Sequence, residues 1–244
     1  MIKVSGLTKS LDGQTVLNDL SFEIQSDEIL AVLGRSGTGK SVLLKHLIGL
    51  MKPDHGTVEI DSVVITGLPE KDLLKIRKKI GFLFQDGALY DFMDVFDNIA
   101  FPLREHTSMK PQEVAQRVRE VIEMVDLKDV EEKMPSELSG GMKKRVALAR
   151  AIVLKPKVLF CDEPTSGLDP LRSRDISAMI RQISKQIKCT TVITSHDIEN
   201  TFRIADRLML LDDGHIVIMG SKDEIKGSAI PFVQEFFGLA AHSQ

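Results

Sequence analysis

The run Gly34-Arg35-Ser36-Gly37-Thr38-Gly39-Lys40-Ser41 fits the pattern Gly-x-x-x-x-Gly-Lys-Ser of a phosphate-binding P-loop. Its glycines let the backbone curl into a concave nest whose N–H groups point at phosphate oxygens, and a helix beginning there adds the positive end of its dipole. Lys40 would then reach the β- and γ-phosphates of a nucleotide, and the Ser41 hydroxyl would complete a Mg²⁺ shell. A second pair of groups lies far along the chain, where apolar Val158-Leu159-Phe160-Cys161 runs into Asp162 and Glu163. A buried strand ending in this way delivers two carboxylates to the sheet edge where a P-loop also sits. Asp162 is placed to hold Mg²⁺ through its water shell, and Glu163 to polarise an attacking water as general base. Each feature has a plainer reading, a glycine-rich turn for the first and a capped turn for the second. Together in one chain they point to nucleotide hydrolysis.

This chemistry needs a strand before the loop and a helix after it. Ile29-Leu30-Ala31-Val32-Leu33 supplies an apolar strand, and Ser41-Val42-Leu43-Leu44-Lys45-His46-Leu47 supplies a helix with its apolar residues on one side. Strand-like stretches near residues 2–7 and 16–24 precede it, with Asp12-Gly13 as the turn between them. Lys52-Pro53-Asp54-His55-Gly56 turns into a short strand at residues 57–60, and another strand, residues 80–84, ends at Gln85. From about 86 to 156 buried strands give way to helix: Val114, Val118, Val121, Ile122 and Val125 recur at helical spacing, and Pro111 suits a first turn. Strands return at residues 158–161, 191–194 and 208–211, separated by helical stretches. The pattern predicts a parallel sheet core interrupted by an inserted helical lobe.

Composition bounds the function. With 244 residues and 43% hydrophobic content the chain can bury a sizeable core, and a net charge of -3 gives no reason to expect nucleic acid as a partner. Apolar runs fall far short of the roughly twenty residues that a membrane helix requires. The opening Met1-Ile2-Lys3-Val4-Ser5-Gly6 lacks the apolar run of a secretory signal, so a cytoplasmic location is expected. Cys161 and Cys189 lie in apolar strand-like stretches and read as buried thiols.

Leu138-Ser139-Gly140-Gly141-Met142 completes the set. Ser139 reads as the N-cap of a helix through Lys143-Lys144-Arg145-Val146-Ala147-Leu148-Ala149-Arg150. With this segment the chain resembles the ATP-binding cassette (ABC) ATPases, whose signature is Leu-Ser-Gly-Gly followed commonly by Gln, with a basic helix behind it. P-loop, Gln85, signature, Asp162-Glu163, the loop Ser166-Gly167-Leu168-Asp169 and His196 stand in the family's order, so the resemblance covers essentially the whole chain. It implies an α/β fold: a P-loop NTPase (RecA-like) ABC ATPase core with an antiparallel β subdomain and an inserted helical subdomain. A single ABC ATPase domain over 1–244 is expected, with 1–85 and 156–220 as core and β subdomain, 86–155 as helical subdomain and 221–244 as C-terminal tail.

The resemblance also implies roles. Two cassettes would close head to tail as a homodimer, with Ser139 and the Gly140 and Gly141 amides reaching, in trans, the γ-phosphate of ATP held by the other copy's P-loop. Gln85 would touch Mg²⁺ and the attacking water, His196 would clamp the γ-phosphate beside Glu163, and Asp169 would align the two sites. Catalysis is thus assigned to Glu163, His196 and Gln85, and Mg²⁺ to Ser41, Gln85 and Asp162. Met142 stands where Gln is usual, which leaves contacts from Ser139 and the glycine amides intact. Leu11 stands near Asp12-Gly13, where many members carry an aromatic for the adenine. Leu11 and Val16 would hold the base by packing alone, making ATP-versus-GTP discrimination weak.

Residues 84–107 are similar to the ATPases of Mce-associated lipid transporters of the maintenance-of-lipid-asymmetry (Mla) type, through Gly87-Ala88-Leu89-Tyr90 and Pro102-Leu103-Arg104-Glu105-His106. This resemblance implies a bacterial envelope phospholipid transport system, or its plastid relative, with the chain as a peripheral subunit on the cytoplasmic side of the (bacterial inner) membrane. Its partners would be permease subunits and, in the complex, an Mce-type substrate-binding protein, with no nucleic acid. The same residues could be generic lobe packing shared with amino-acid importers and lipoprotein-release systems. Tyr90, Phe92 and Met93 read either as core or as a permease-docking face. The apolar stretch 230–239 could pack on its own subunit or on a neighbour. A soluble ABC clamp would usually carry a coiled-coil insertion or a second cassette, which this chain lacks, and Glu163 with His196 argues against a non-hydrolytic cassette.

Overall fold

The structure, a computed structural model, describes residues 1–238. The chain opens with a hairpin of β1 (Ile2–Leu11) and β2 (Gln14–Ile24), longer than expected because pairing continues to Leu11 and Gln14 on either side of the Asp12-Gly13 turn. β3 (Ile29–Leu33), the P-loop and α1 (Lys40–Leu47) follow. Next come β4 (His55–Ile60), the two-residue edge strand β5 (Val63–Val64) and α2 (Glu70–Arg77); β5 and α2 are too short or too polar to stand out in the sequence. β6 (Ile80–Leu83) leads to α3 (Val95–His106), α4 (Pro111–Met124) and α5 (Gly140–Ile152). β7 (Val158–Asp162), α6 (Pro170–Ile187), β8 (Thr190–Ser195), α7 (Ile198–Ile204), β9 (Arg207–Asp212), β10 (His215–Ser221), α8 (Lys222–Lys226) and α9 (Pro231–Phe236) complete the described chain.

Contacts divide the chain into two units. The first comprises Met1–Leu73 and the described chain from Thr190 onward. It holds an antiparallel sheet in the order β2-β1-β4-β5 and a second set of strands in the order β10-β9-β3-β8. β3 is parallel to both β8 and β9, with Leu33 level with Ser195 on one side and Leu210 on the other. All five residues of β3 and all six of β8 are buried, the signature of strands covered on both faces. The second unit, Leu74–Cys189, holds β6 and β7 as a parallel pair together with α3, α4, α5 and α6. Within it α5 packs on β6 as well as on α3 and α4. In this unit Arg117 of α4 donates to the carbonyls of Val153 and Ile152 at 2.9 and 3.2 Å, capping the end of α5 with a buried cation. Cys161 and Cys189 are buried thiols, and burial pushes the Cys161 thiol far above its ordinary pKa.

Candidate nucleotide site

In the first unit the P-loop joins the last residue of a fully buried strand to a helix. Gly39 is held at φ 95°, and a Cβ built there would lie 2.9 Å from the Val16 carbonyl oxygen. Only glycine satisfies both conditions, so the conformation and the close passage of β2 explain this residue together. Lys40 is buried, and its Nζ donates to the carbonyls of Gly34 and Arg35 at 2.8 and 2.9 Å. Thr38 Oγ1 donates to the same Arg35 carbonyl at 2.9 Å. Arg35, Ser36 and Gly37 stand exposed at the loop's crest, with Ser41 half-buried in the first helical turn. Val16 borders the loop at Gly39, and Leu11 lies half-buried at the hairpin tip.

The register places His196 at the same edge. Leu33 and Ser195 are level across β3 and β8, so Gly34 and His196 each follow the last paired residue of a parallel strand. His196 is exposed there, and Asp197 begins α7 with its carboxylate accepting from the Asn200 N–H at 3.1 Å. Carboxyl ends of parallel strands are where ligands bind in open α/β sheets, because helix N-termini and irregular backbone converge there.

The second unit repeats this arrangement. Leu83 and Cys161 are level across β6 and β7, so Gln85 and the pair Asp162-Glu163 leave the strands at one edge. Gln85 Nε2 donates to Ser166 Oγ at 3.4 Å, bringing Gln85 to the loop after the carboxylates. Glu163 adopts φ 46°, a strained value for a non-glycine residue of the kind that clusters at functional sites. Ser139 caps α5, its Oγ accepting from the Met142 N–H at 3.4 Å. A hydroxyl acting as acceptor keeps its own proton available to a phosphate oxygen. Asp169 caps α6, accepting from the Arg172 N–H at 3.0 Å and pairing with the Arg172 guanidinium at 3.3 Å. Built Cβ atoms on Gly140 and Gly141 would lie 3.8 and 3.6 Å from Leu168 and Arg172, so the signature glycines adjoin the Asp169 loop.

Sequence reasoning missed what fixes the segment after Gln85. Lys144, Ala147 and Arg150 share one face of α5. Lys144 Nζ donates to the Gln85 carbonyl, and Arg150 donates to the carbonyls of Gly87 and Ala88 at 2.7 and 2.8 Å. Between them Gly87, at φ 77°, approaches so closely that a Cβ would sit 3.3 Å from that of Ala147. Burial pushes the Lys144 ammonium below its ordinary pKa, with the Asp86 and Glu163 carboxylates opposing. The basic residues behind the signature were visible in sequence; their carbonyl partners were not.

Beyond this segment a groove of about 410 Å³ is lined by Phe82, Tyr90, Phe101, Pro102, His106 and Arg150, among others. The loop at its edge is rigidly held: fully buried Asn98 accepts from the Tyr90 N–H at 2.8 Å, and its amide nitrogen faces the carbonyls of Tyr90, Met93 and Asp94. Phe92 is nevertheless 76% exposed, and Tyr90 is also exposed, which excludes a core role for these two rings. Among the described residues no cluster of three or more His, Cys, Asp or Glu could cage a metal by itself.

A family profile described as ABC transporter matches residues 17–166. The probable ribonucleotide transport ATP-binding protein mkl of Mycobacterium leprae (strain TN) is 44% identical over 96% of this chain and 68% of its own length. The chain thus spans about two thirds of the length of the mycobacterial relatives. The intermembrane phospholipid transport system ATP-binding protein MlaF of Haemophilus influenzae is 36% identical over 92% of this chain and 85% of its own length. A methionine import ATP-binding protein, MetN of Carboxydothermus hydrogenoformans, is 44% identical over 84% of this chain and 60% of its own. Among solved structures, a dimeric ATP-binding cassette in a post-hydrolysis state with ADP and phosphate superposes with a TM-score of 0.83 at 30% identity, over 91% of this chain and 99% of that one.

Proposed function

The chain belongs to the ABC transporter family as an ABC-type ATPase, and from that premise we propose that it couples ATP-driven closure of a cassette homodimer to phospholipid movement by a membrane permease. The P-loop amides and Lys40 take the phosphates of ATP. Ser41, Gln85 and Asp162 hold the accompanying Mg²⁺, which when bound neutralises phosphate charge. Glu163 accepts a proton as a water oxygen attacks the γ-phosphorus and the bond to the bridging oxygen of ADP breaks, and His196 holds the γ-phosphate oxygens. Ser139 and the amides of Gly140 and Gly141 serve the partner copy's nucleotide from the start of α5. Asp169 aligns the two copies, while Leu11 and Val16 pack on the base. The dimeric, ADP-bound state of a similar cassette supports the composite site.

What supports the lipid reading is the likeness to a phospholipid transport ATP-binding protein, together with the segment 84–107, whose sequence resembles Mla-type ATPases and which lines part of the aromatic groove beside exposed Phe92. A short cytoplasmic helix of a permease fits such a groove, and would place this subunit on the cytoplasmic side of an inner membrane. No helix among the described residues is long and apolar enough to cross a membrane. The likeness to a methionine import protein favours amino-acid import as the second reading. Purification from gently solubilised native membranes decides between them. Recovery of a multi-span permease with an Mce-type protein and phospholipid supports lipid transport, whereas a permease with an amino-acid receptor overturns the substrate and leaves the ATPase standing.

A further inference from the structure

The C-terminal helix α9 folds back onto the strand that carries the P-loop. Val233 is fully buried in a cluster with Ala31 and Leu33 of β3, Leu208 and Leu210 of β9 and Ile225 of α8. This anchors a row of rings on the neighbouring turns. Phe202 of α7 lies 6.0 Å from Phe237, which lies 5.3 Å from Phe236, which lies 6.1 Å from Phe232. The row ends at the P-loop, where the Arg35 guanidinium stands over the Phe232 ring, 5.6 Å from its centroid. One end of the row is therefore on the helix that follows His196, and the other is on the residue whose carbonyl receives both Lys40 and Thr38.

We propose that α9 is a buttress of the nucleotide loop and that Phe232 is a positioning residue, setting nucleotide affinity through the Arg35 side chain. Arg35 lies at the exposed crest of the loop, and a long side chain there is otherwise free to sample many rotamers. Stacking it on a ring that is itself fixed by Val233 orders the loop before ligand arrives, so less ordering remains to be done on binding. The contact involves none of the groups proposed for the chemical step, Glu163, His196 and Gln85, and is therefore expected to bear on binding.

The inference rests on the nucleotide reading of the P-loop. ATP binding with Mg²⁺ to the full chain is measured by calorimetry alongside KM and kcat. Phe232→Leu keeps the apolar volume and removes the π face; the Kd and KM for ATP are expected to rise about two- to fivefold with kcat unchanged, as the loss of one exposed cation–π contact implies. Phe232→Tyr restores both. In an Arg35→Gln background the Phe232→Leu effect is expected to vanish. A folded Phe232→Leu protein with the parent Kd, or an effect that persists undiminished in the Arg35→Gln background, overturns the proposal. If Lys40→Ala binds ATP as the parent does, the nucleotide reading itself fails; if Lys40→Ala loses ATP while Phe232→Leu is silent, only the buttress fails.

Discussion

His46 shows how much one buried side chain can say. It is 2% exposed on the helix that begins at the P-loop, with Nδ1 2.8 Å from the Val42 carbonyl and no partner for Nε2 among the described residues. Burial pushes its imidazole below the ordinary pKa, helped by the Lys9 charge and opposed by the Val42 and Lys52 carbonyls and the Asp54 charge. The fold therefore holds the ring neutral, while an unfolded chain takes up a proton near pH 6.5. Its folded pKa being the lower one, stability is complete above about pH 6.5 and declines as pH falls below it. We expect the melting temperature to drop between pH 7.5 and 5.5 by more in the parent than in His46→Leu, followed by scanning fluorimetry. Identical slopes would remove His46 from the acid response. Sequence alone marked His46 as part of a helical stretch, but not its burial, because its flanking pattern does not tell which turn faces the sheet.

At the scale of elements the decisive feature is α5. Ser139 was legible as its N-cap, since a hydroxyl followed by helix-forming residues is a local signal. The grip of Lys144 and Arg150 on the backbone after Gln85 was not, because it joins residues 59 to 63 apart. It ties the helix that presents the signature to the segment that carries Gln85 and the groove wall. Arg150→Met leaves the Gly87 and Ala88 carbonyls without their charged donor, a loss of about 1.5–3 kcal/mol for bonds of this kind. We expect a fall in melting temperature of roughly 3–10 °C, with Arg150→Lys intermediate, since a point cation cannot serve both carbonyls with a fixed fork. An Arg150→Met protein with the parent's melting temperature would show that the loop is held by Asn98 and packing alone.

For the whole molecule, the proposed site is composite, so hydrolysis and dimerisation should be linked. Glu163→Gln keeps the shape of the side chain and removes the base. Its turnover should fall about 10²–10⁴-fold while ATP binding persists, and the ATP-bound protein should elute as a dimer on size exclusion. Turnover at the parent rate would mean that Glu163 is not the base. By itself the sequence determined the glycine-rich loop, the strand and helix that flank it and the carboxylates at the end of β7. Each of these is written in neighbouring residues, as glycine spacing, an unbroken apolar run or a charge at a strand end. Only the tertiary structure decided that Phe92 stays exposed, that α9 packs on its own β3, and that Arg35 meets Phe232. Those outcomes depend on which surfaces distant segments bury against one another, and no local period records that choice.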